Sequence, residues 1–504
     1  MRNINLMRFL TAIFIFILSS PGHSKESSIQ FSASEQETIF ILPVPNNELA
    51  LTSELSLLRE GKILESDFSV LTIWNSDKQK KFIRLLSIKI NNSDNAQQNK
   101  AATFTLRWSS KTKQLPIKSN SFNTKAHLVY PTQSWLTRSI LLQPQMGEID
   151  TSWYTEPQSL YANFVTNKSL LTEKGYPPQK YSQWLFDRPR AVYQLYMQTE
   201  DPKWLKEGTK LAQFYLANID DTGQFKLKDS YDLKYLMPNG LLYYYLLTGD
   251  KEIVNILKTF YDRALSWNPT YDGGHRFWTE RHQAAALNIA IAYWEVTGSI
   301  EAKNRIDEII EATVQMVFNP RENWPLRGCP QHTYKSHEGK AGDSPVCSPW
   351  MMALLSDGLW RYYRLSDDKK SAALLNAFGD FMPHYGIHFA DDRLKNMVLP
   401  IYLSSMDNKL LEIKNQWSDG QHACDVASLI GKSLYIKKKT TEDTYILQEL
   451  FNVFVQQCKD INKRYRNKKH DYLPILPPRR FGWTYSTTSD LPWLESWLSS
   501  DSTQ

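Results

Sequence analysis

Residues 280–318 read ERHQAAALNIAIAYWEVT, then GS, then IEAKNRIDEIIEATVQMVF, and this stretch decides the fold. Glu280 to Thr297 is apolar nearly all round in its second half (AAALNIAIAYW), as a helix enclosed by other helices must be. Gly298 and Ser299 break it. Glu301 to Phe318 is amphipathic, with Ile306, Ile309, Ile310, Thr313 and Val317 on one face and charge on the other. The two segments predict a helical hairpin with one inner and one outer member.

The hairpin repeats along the chain. YMQTED ends at Asp201, YLLTGD at Asp250, YWEVTGS at Ser299 and YRLSDD at Asp368, with a weaker copy, KKTTED, ending at Asp443. Thr199, Thr248 and Thr297 are 49 residues apart, and insertions around 319–348 and 386–416 lengthen the later spacings. Five or six such hairpins close into an α/α toroid. An open superhelix competes, but the inner helices are too apolar to line an exposed concave face. Residues 37–130 have a different pattern. Ile39–Val44, Phe68–Trp74, Phe82–Ile90 and Thr103–Trp108 are short β-branched and aromatic runs between polar turns, a spacing that suits a β-sandwich. The expected fold is α+β and multidomain: an N-terminal β-sandwich followed by an α/α toroid of five to six helical hairpins. The expected division is a signal peptide at 1–24, a β-sandwich at 25–130, a linker and start of the helical domain at 131–180, and the toroid at 181–504.

The signal is read from Arg2 and Arg8, the ten-residue apolar run Phe9–Leu18, and the small residues Gly22 and Ser24 before Lys25. A periplasmic or secreted protein is expected, with no membrane association after cleavage. Four cysteines, Cys329, Cys347, Cys424 and Cys458, then suggest two disulfides. Proximity favours Cys329–Cys347 and Cys424–Cys458, although four cysteines allow three pairings. The chain carries 16 Trp, 26 Tyr and 22 Phe, which in an exported protein points towards glycans as well as to packing. Its net charge of +6 is compatible with an acidic polysaccharide partner, and nothing resembles a nucleic-acid module.

In a ring of hairpins the short turns close one face, and the longer connections deliver the inner-helix starts to the other. Unusual chemistry gathers at those starts. His275-Arg276-Phe277-Trp278-Thr279-Glu280-Arg281-His282 holds two arginines, two histidines, a carboxylate and a Trp, more than helix capping by Thr279 requires. Further clusters are Asp229, Tyr231, Asp232, Lys234 and Tyr235; Trp184, Asp187, Arg188 and Arg190; and Trp417, Asp419, His422 and Asp425. The expected catalytic residues are Tyr231, Arg276, Glu280, Arg281, His282 and His422. Substrate contacts are expected from Trp184, Asp187, Arg188, Asp232, His275, Trp278, His332, Tyr334, His337, Trp350 and Trp417. No cofactor is expected. Cys329, His332, His337 and Cys347 form a competing zinc set, weighed against a disulfide-pinned loop that presents its histidines to the cleft.

The stretch Phe68–Ile88 (FSVLTIWNSDKQKKFIRLLSI) resembles a signature of the β-sandwich domains of exo-rhamnogalacturonan lyase-like proteins, with Trp74, Asp77 and the strand after Lys81 matching and Asn75 and Lys78 departing. Asp187-Arg188, the TGD turns, Thr279-Glu280-Arg281 and Ser348-Pro349-Trp350-Met351 resemble α/α-toroid polysaccharide lyases and glycosidases. The resemblance implies glycan cleavage. In β-elimination, a cation neutralises a uronate carboxylate while a Tyr or His handles protons. In hydrolysis, two carboxylates flank the bond, with Glu280 and Asp232 or Asp187 as candidates. The surplus of Arg, His and Tyr favours elimination. A non-catalytic glycan-binding or envelope-assembly protein would use the same cleft.

Overall fold

The computed structural model describes residues 27–34, 38–75, 81–91, 101–110, 133–141, 150–166, 176–271, 278–338, 342–390, 398–413, 421–440, 443–466 and 480–500. The signal peptide expected at 1–24 lies outside them, and the strands and helices below are those among the described residues.

Seven strands come first: β1 (Ser27–Ser34), β2 (Ile39–Pro43), β3 (Ser53–Arg59), β4 (Lys62–Leu64), β5 (Ser66–Ile73), β6 (Ile83–Ile90) and β7 (Ala101–Ser110). They form two antiparallel sheets, in the orders β1-β7-β3-β4 and β2-β6-β5. One buried cluster joins the sheets: Phe31, Leu57, Phe104 and Leu106 meet Phe40, Val70, Leu86 and Ile88. The Phe40 and Phe104 rings are 4.9 Å apart across it. Four of these strands are legible as apolar runs. β1, β3 and β4 are half polar and escape that criterion.

Fifteen helices follow: α1 (Gln133–Arg138), α2 (Ser152–Thr166), α3 (Arg188–Thr199), α4 (Pro202–Ala217), α5 (Pro238–Thr248), α6 (Glu252–Ala264), α7 (Glu280–Thr297), α8 (Ile300–Phe318), α9 (Tyr334–Glu338), α10 (Pro349–Ser366), α11 (Lys369–Phe381), α12 (Gln421–Lys438), α13 (Tyr445–Arg466), α14 (Arg480–Ser486) and α15 (Leu491–Ser500). Helices α3, α5, α7, α10, α12 and α14 each pack on the next, and α14 packs on α3, so they close a ring. Helices α4, α6, α8, α11 and α13 each run back outside the inner helix before them, and α2 fills the sixth outer place between α13 and α3. The architecture is an α/α toroid. Its sixth pair, α2 with α14, comes from opposite ends of the helical region. The Tyr154 hydroxyl lies 2.8 Å from Thr488 Oγ1, and the Tyr154 and Tyr485 rings meet edge to face at 5.4 Å.

The repeated turn has a local cause. Gly249 and Gly298 sit at φ 69° and 70° and end α5 and α7 in the left-handed conformation that glycine adopts at no steric cost. Thr199, Thr248 and Thr297 each donate a hydroxyl hydrogen bond to the carbonyl four residues back, at 2.8, 2.7 and 2.6 Å. Each hydroxyl also lies within reach of the N–H two residues on, closing the turn on both sides. The two sheets dock on this face. Asn75 donates to the Trp294 carbonyl at 2.6 Å, Thr72 meets the Tyr245 hydroxyl at 2.6 Å, and Arg84 of β6 pairs with Glu295 of α7 at 2.7 Å. Glu295 also binds Arg361 of α10, and all three charges are buried. The sheets therefore pack against the ring, which leaves the inner-helix starts on the far face.

Candidate active site

The inner helices surround a cavity inside the ring. Asp187 from the start of α3, Asn239 from α5, Arg281 and Asn288 from α7 and Asp357 from α10 line it, together with Lys234, Phe186 and Thr487.

Phe186 and Asp187 are consecutive residues at φ 67° and 61°. Non-glycine residues there cost on the order of 1–3 kcal/mol each and persist only where surroundings hold them. Asp187 is held by two backbone donors, Arg190 N at 3.1 Å and Gly240 N at 2.8 Å. A β-carbon on Gly240 would lie 2.3 Å from Asp187 Oδ1, so glycine is what lets α5 approach. Burial pushes the Asp187 carboxyl up to about 6, against the pull of Gly240 N–H and Arg190. Beside it, Arg190 grips Asp357 with both terminal nitrogens, at 2.5 and 3.0 Å.

The opposite wall is cationic. Lys234 and Arg281 both line the cavity, and burial lowers both, Lys234 being further depressed by the Arg281 charge. Asp232 is the carboxylate between them, 2.5 Å from Lys234 Nζ and 3.4 Å from His282 Nε2. Burial alone would raise Asp232, but His282 and Lys234 hold it well below the usual carboxylate range. Burial pushes His282 down to about 4, so its imidazole is neutral at pH 7. Thr279 sits at the N-cap position of α7 yet uses its hydroxyl on His282 Nδ1, at 2.8 Å.

A histidine and tyrosine group lies next to Arg281. His337 Nε2 is 3.2 Å from the Tyr402 hydroxyl, and Tyr402 is half-buried and close enough to influence the Arg281 charge. His337 stacks on His332 at 5.5 Å. His332 Nδ1 lies 2.9 Å from Glu280 Oε2 without hydrogen-bond alignment, and both side chains are fully buried. Glu280 Oε1 accepts from Ser348 N at 3.0 Å. His422 Nδ1 is 2.9 Å from Asp425 Oδ2, and its ring stacks on Trp350 at 5.2 Å.

Of the residues expected from sequence, the structure brings Asp187, Asp232, Arg281 and His282 together around the cavity and its wall. Glu280, His332, His337, Trp350 and His422 form an adjoining shell. Trp184 packs instead inside the first hairpin, fully buried between Phe214 and Tyr215 with its N–H on the Pro178 carbonyl. Trp278 is likewise fully buried against Trp267 and Tyr271. Arg188 is buried outside the cavity lining, with Gln183 as a partner at 3.0 Å. Arg188 is the sequence neighbour of Asp187, which does line the cavity. Tyr231 lies under Arg263 at 4.3 Å, away from the cavity lining, and burial raises it to about 12. Tyr334 donates to Glu412 at 3.1 Å. His275, Arg276 and Trp417 fall outside the described residues. Cys329 is bonded to Cys347 and Cys424 to Cys458, which takes both thiols out of the zinc set. Among the described residues no cluster of three or more metal-ligating side chains occurs. Tyr402, Asn239, Asn288 and Asp357 were not anticipated. Tyr402 lies in an aperiodic insertion, Asn288 and Asp357 are internal to their helices, and Asn239 is an uncharged residue at the start of α5.

The fold and site together define a helical ring whose inner helices enclose a cavity lined by charged and amide side chains, with a histidine–tyrosine pair beside Arg281. No protein-family model matches the chain, and no curated protein matches it. Among solved structures it is similar to an unsaturated glucuronyl hydrolase specific for heparin, at 14% identity and TM-score 0.45, covering 70% of this chain and 98% of that one. It is also similar to a possible member of glycoside hydrolase family 105 from Klebsiella pneumoniae subsp. pneumoniae MGH 78578 (13%, TM-score 0.44, 71% and 97% covered). A third is an α-1,6-mannanase from Salegentibacter sp. HEL1_6 (11%, TM-score 0.43, 68% and 98% covered). These similarities assign no residue and no activity.

Proposed function

We propose that this protein is an exported polysaccharide-degrading enzyme, a lyase that cleaves a uronate-containing chain by β-elimination. The observation that carries the proposal is the cation pair Lys234 and Arg281 on the cavity wall, with Asp232 between them and Tyr402–His337 beside them. A uronate carboxylate placed against Lys234 and Arg281 has its charge neutralised, which lowers the barrier to losing the C5 proton. Tyr402 passes its hydroxyl proton to His337 Nε2, and its oxygen takes the C5 proton. The C5–H electron pair forms the C4=C5 double bond, the C4–O4 bond breaks, Tyr402 passes the proton to O4, and His337 returns to Tyr402 the proton it took at the start. Two disulfides fit an oxidising compartment and support export. No described helix is long and apolar enough to cross a membrane. We assign the facing sheets to a β-sandwich domain at 25–130, residues 131–180 to a linker and the start of the helical domain, where α2 joins the ring, and 181–504 to the rest of the catalytic toroid. The resemblance of Phe68–Ile88 makes rhamnogalacturonan the first polymer to try.

One observation favours hydrolysis instead: Asp187, raised to about 6, has the character of a general acid in the cavity wall. Against it, Asp187, Asp232 and Asp357, the described carboxylates at the cavity and its wall, are each engaged by donors or cations. The test is incubation of the mature protein with acidic and neutral polysaccharides. Absorbance of unsaturated uronate at chain ends is expected from an acidic polymer. Reducing ends without that absorbance would replace the lyase by a hydrolase, and binding without turnover would make the protein a glycan receptor.

A further inference from the structure

A second cavity lies where the sheets meet the turn face of the ring, with a volume of about 370 Å3. Cavities of roughly 300–1,000 Å3 are of the size that takes small-molecule ligands, and they favour boundaries between domains. Residues from Trp360 to Asp367, at the end of α10, form one wall, whereas Leu354 and Asp357 of the same helix line the cavity inside the ring. The two cavities share no lining residue.

The lining is cationic and aromatic. Arg138, Arg364 and Lys439 stand against the carboxylate of Asp367 among its described residues. Asp367 pairs outward with Lys369 at 3.2 Å, and Arg138 with Glu48 at 2.7 Å. Lys439 Nζ stands 4.0 Å over the Tyr435 ring and has no carboxylate in ion-pair reach among the described residues. Burial, and after it the Arg361 charge, lower the Arg364 guanidinium to about 10, and an anion beside it would offset both. Tyr363 stacks on Trp360 at 5.7 Å and Tyr435 meets Trp360 edge-on at 5.4 Å; both tyrosines are half-buried, so ring surface remains open. The wall is also strained. Ile140 lines the cavity at φ 55°, where a β-branched residue is a steric outlier. Such strain persists only where surroundings hold it, and it gathers at ligand sites. Three arginines hold it here: Arg84 donates to the Ser139 carbonyl, Arg361 to the Ile140 carbonyl at 3.5 Å and Arg364 to the Thr137 carbonyl at 3.4 Å.

A neutral sugar would leave these cations unanswered, and a bare inorganic anion would leave the aromatic surface uncovered. We propose that this cavity is a second ligand site, for a sugar that carries an oxyanion, with the charge on Arg364 and Lys439 and the ring against Tyr363 and Tyr435. A uronate and a sugar phosphate share that chemistry. The site goes beyond the lyase reading and does not depend on it, because it lies at the other end of α10 from the Lys234–Arg281 wall and asks nothing of the reaction there. Its ligand touches both the sheets, through Asn46 and Trp74, and the ring, so its binding fastens the one to the other.

The experiment is calorimetric titration of the intact mature protein with galacturonate, glucose 6-phosphate, methyl galactoside and inorganic phosphate. It is run on the parent and on Arg281→Ala, Lys439→Glu and Tyr363→Ala. Arg281→Ala disables the cavity inside the ring, so binding that survives in it and is lost in Lys439→Glu belongs to the second cavity. At least one sugar acid should bind saturably, within about twofold of the parent in Arg281→Ala and about tenfold or more weakly in Lys439→Glu. Methyl galactoside and inorganic phosphate should both bind about tenfold or more weakly than that sugar acid. Tyr363→Ala should weaken the sugar acid and leave inorganic phosphate unchanged. Lys439 is exposed, so Lys439→Glu decides alone should Tyr363→Ala fail to fold. The tighter of the two sugar acids identifies the source of the oxyanion, and either supports the site. Absence of saturable binding, binding untouched by Lys439→Glu, or inorganic phosphate bound as tightly as both sugar acids overturns it. Unsaturated uronate product without binding here sinks this site and leaves the lyase standing, and binding here without that product does the reverse.

Discussion

At Arg281 the charge that would hold a substrate carboxylate is itself partly desolvated, so its loss should be felt in turnover. Arg281→Ala is expected to lower kcat/KM on the acidic polymer by on the order of a hundredfold. Two further residues make opposing contributions to stability as pH changes. Asp187 is raised to about 6 from 3.8, so folding favours its protonated form; its contribution is full below pH 3.8 and is lost as pH rises through 6. His282 is lowered to about 4 from 6.5, so its contribution is present above 6.5 and lost as pH falls through 4. The two slopes offset between pH 4 and 6. Thermal melts across this range should therefore show Asp187→Asn gaining stability with rising pH more steeply than the parent. His282→Asn should lose stability with rising pH by about 1 kcal/mol per unit relative to the parent. A common slope in all three proteins would refute both assignments. Residue types at inner-helix starts were legible in the sequence because charge and histidine are rare inside a helical ring. Side-chain direction was not: Asp187 and Arg188 are adjacent, yet one lines the cavity and the other is buried outside it.

Among the elements, the insertion between α8 and α10 determines where the histidines sit. Cys329 and Cys347 close it, Cys347 exchanges backbone hydrogen bonds with Ser404 at 3.0 and 2.8 Å, and the loop delivers His332 to Glu280 and His337 to Tyr402. Replacing both cysteines by serine should cost about 2–4 kcal/mol and lower turnover, since the loop would lose its anchor. Denaturant titration and kinetics on the same variant check both. Intact mass with and without reductant should reveal no free thiol in the parent. Gly240→Ala should cost more than an exposed helix substitution, because its β-carbon would overlap Asp187 and Pro189, and the melting temperature measures it. Helix α7 was legible to its first and last residue because apolar periodicity and a glycine stop bound it on both sides. The Tyr402 segment has no periodicity, and its position depends on contacts with Cys347 and Glu412 that only the folded chain makes.

For the whole molecule, the sheets and the ring are joined through buried charge as well as apolar contact. Arg84→Ala removes one of the two cations on Glu295 and should destabilise the protein by about 3–5 kcal/mol. Limited proteolysis should then cut between the sheets and the ring sooner than in the parent, and unchanged cleavage would count against this coupling. The closed ring was legible from five copies of one turn and the apolar inner helices; which helices make its closing pair was not, because α2 and α14 carry no copy. That closure bears on how the protein is made. During synthesis α2 and α3 appear early, but the neighbour that covers them, α14, emerges about three hundred residues later. Tyr154, Tyr161 and Ala162 meanwhile present an uncovered apolar strip. Until the closing segment arrives the growing chain is an open crescent, and a holding chaperone has a defined surface to guard. The last helices act as a keystone, so a chain ended after Arg466 should aggregate rather than form a smaller ring.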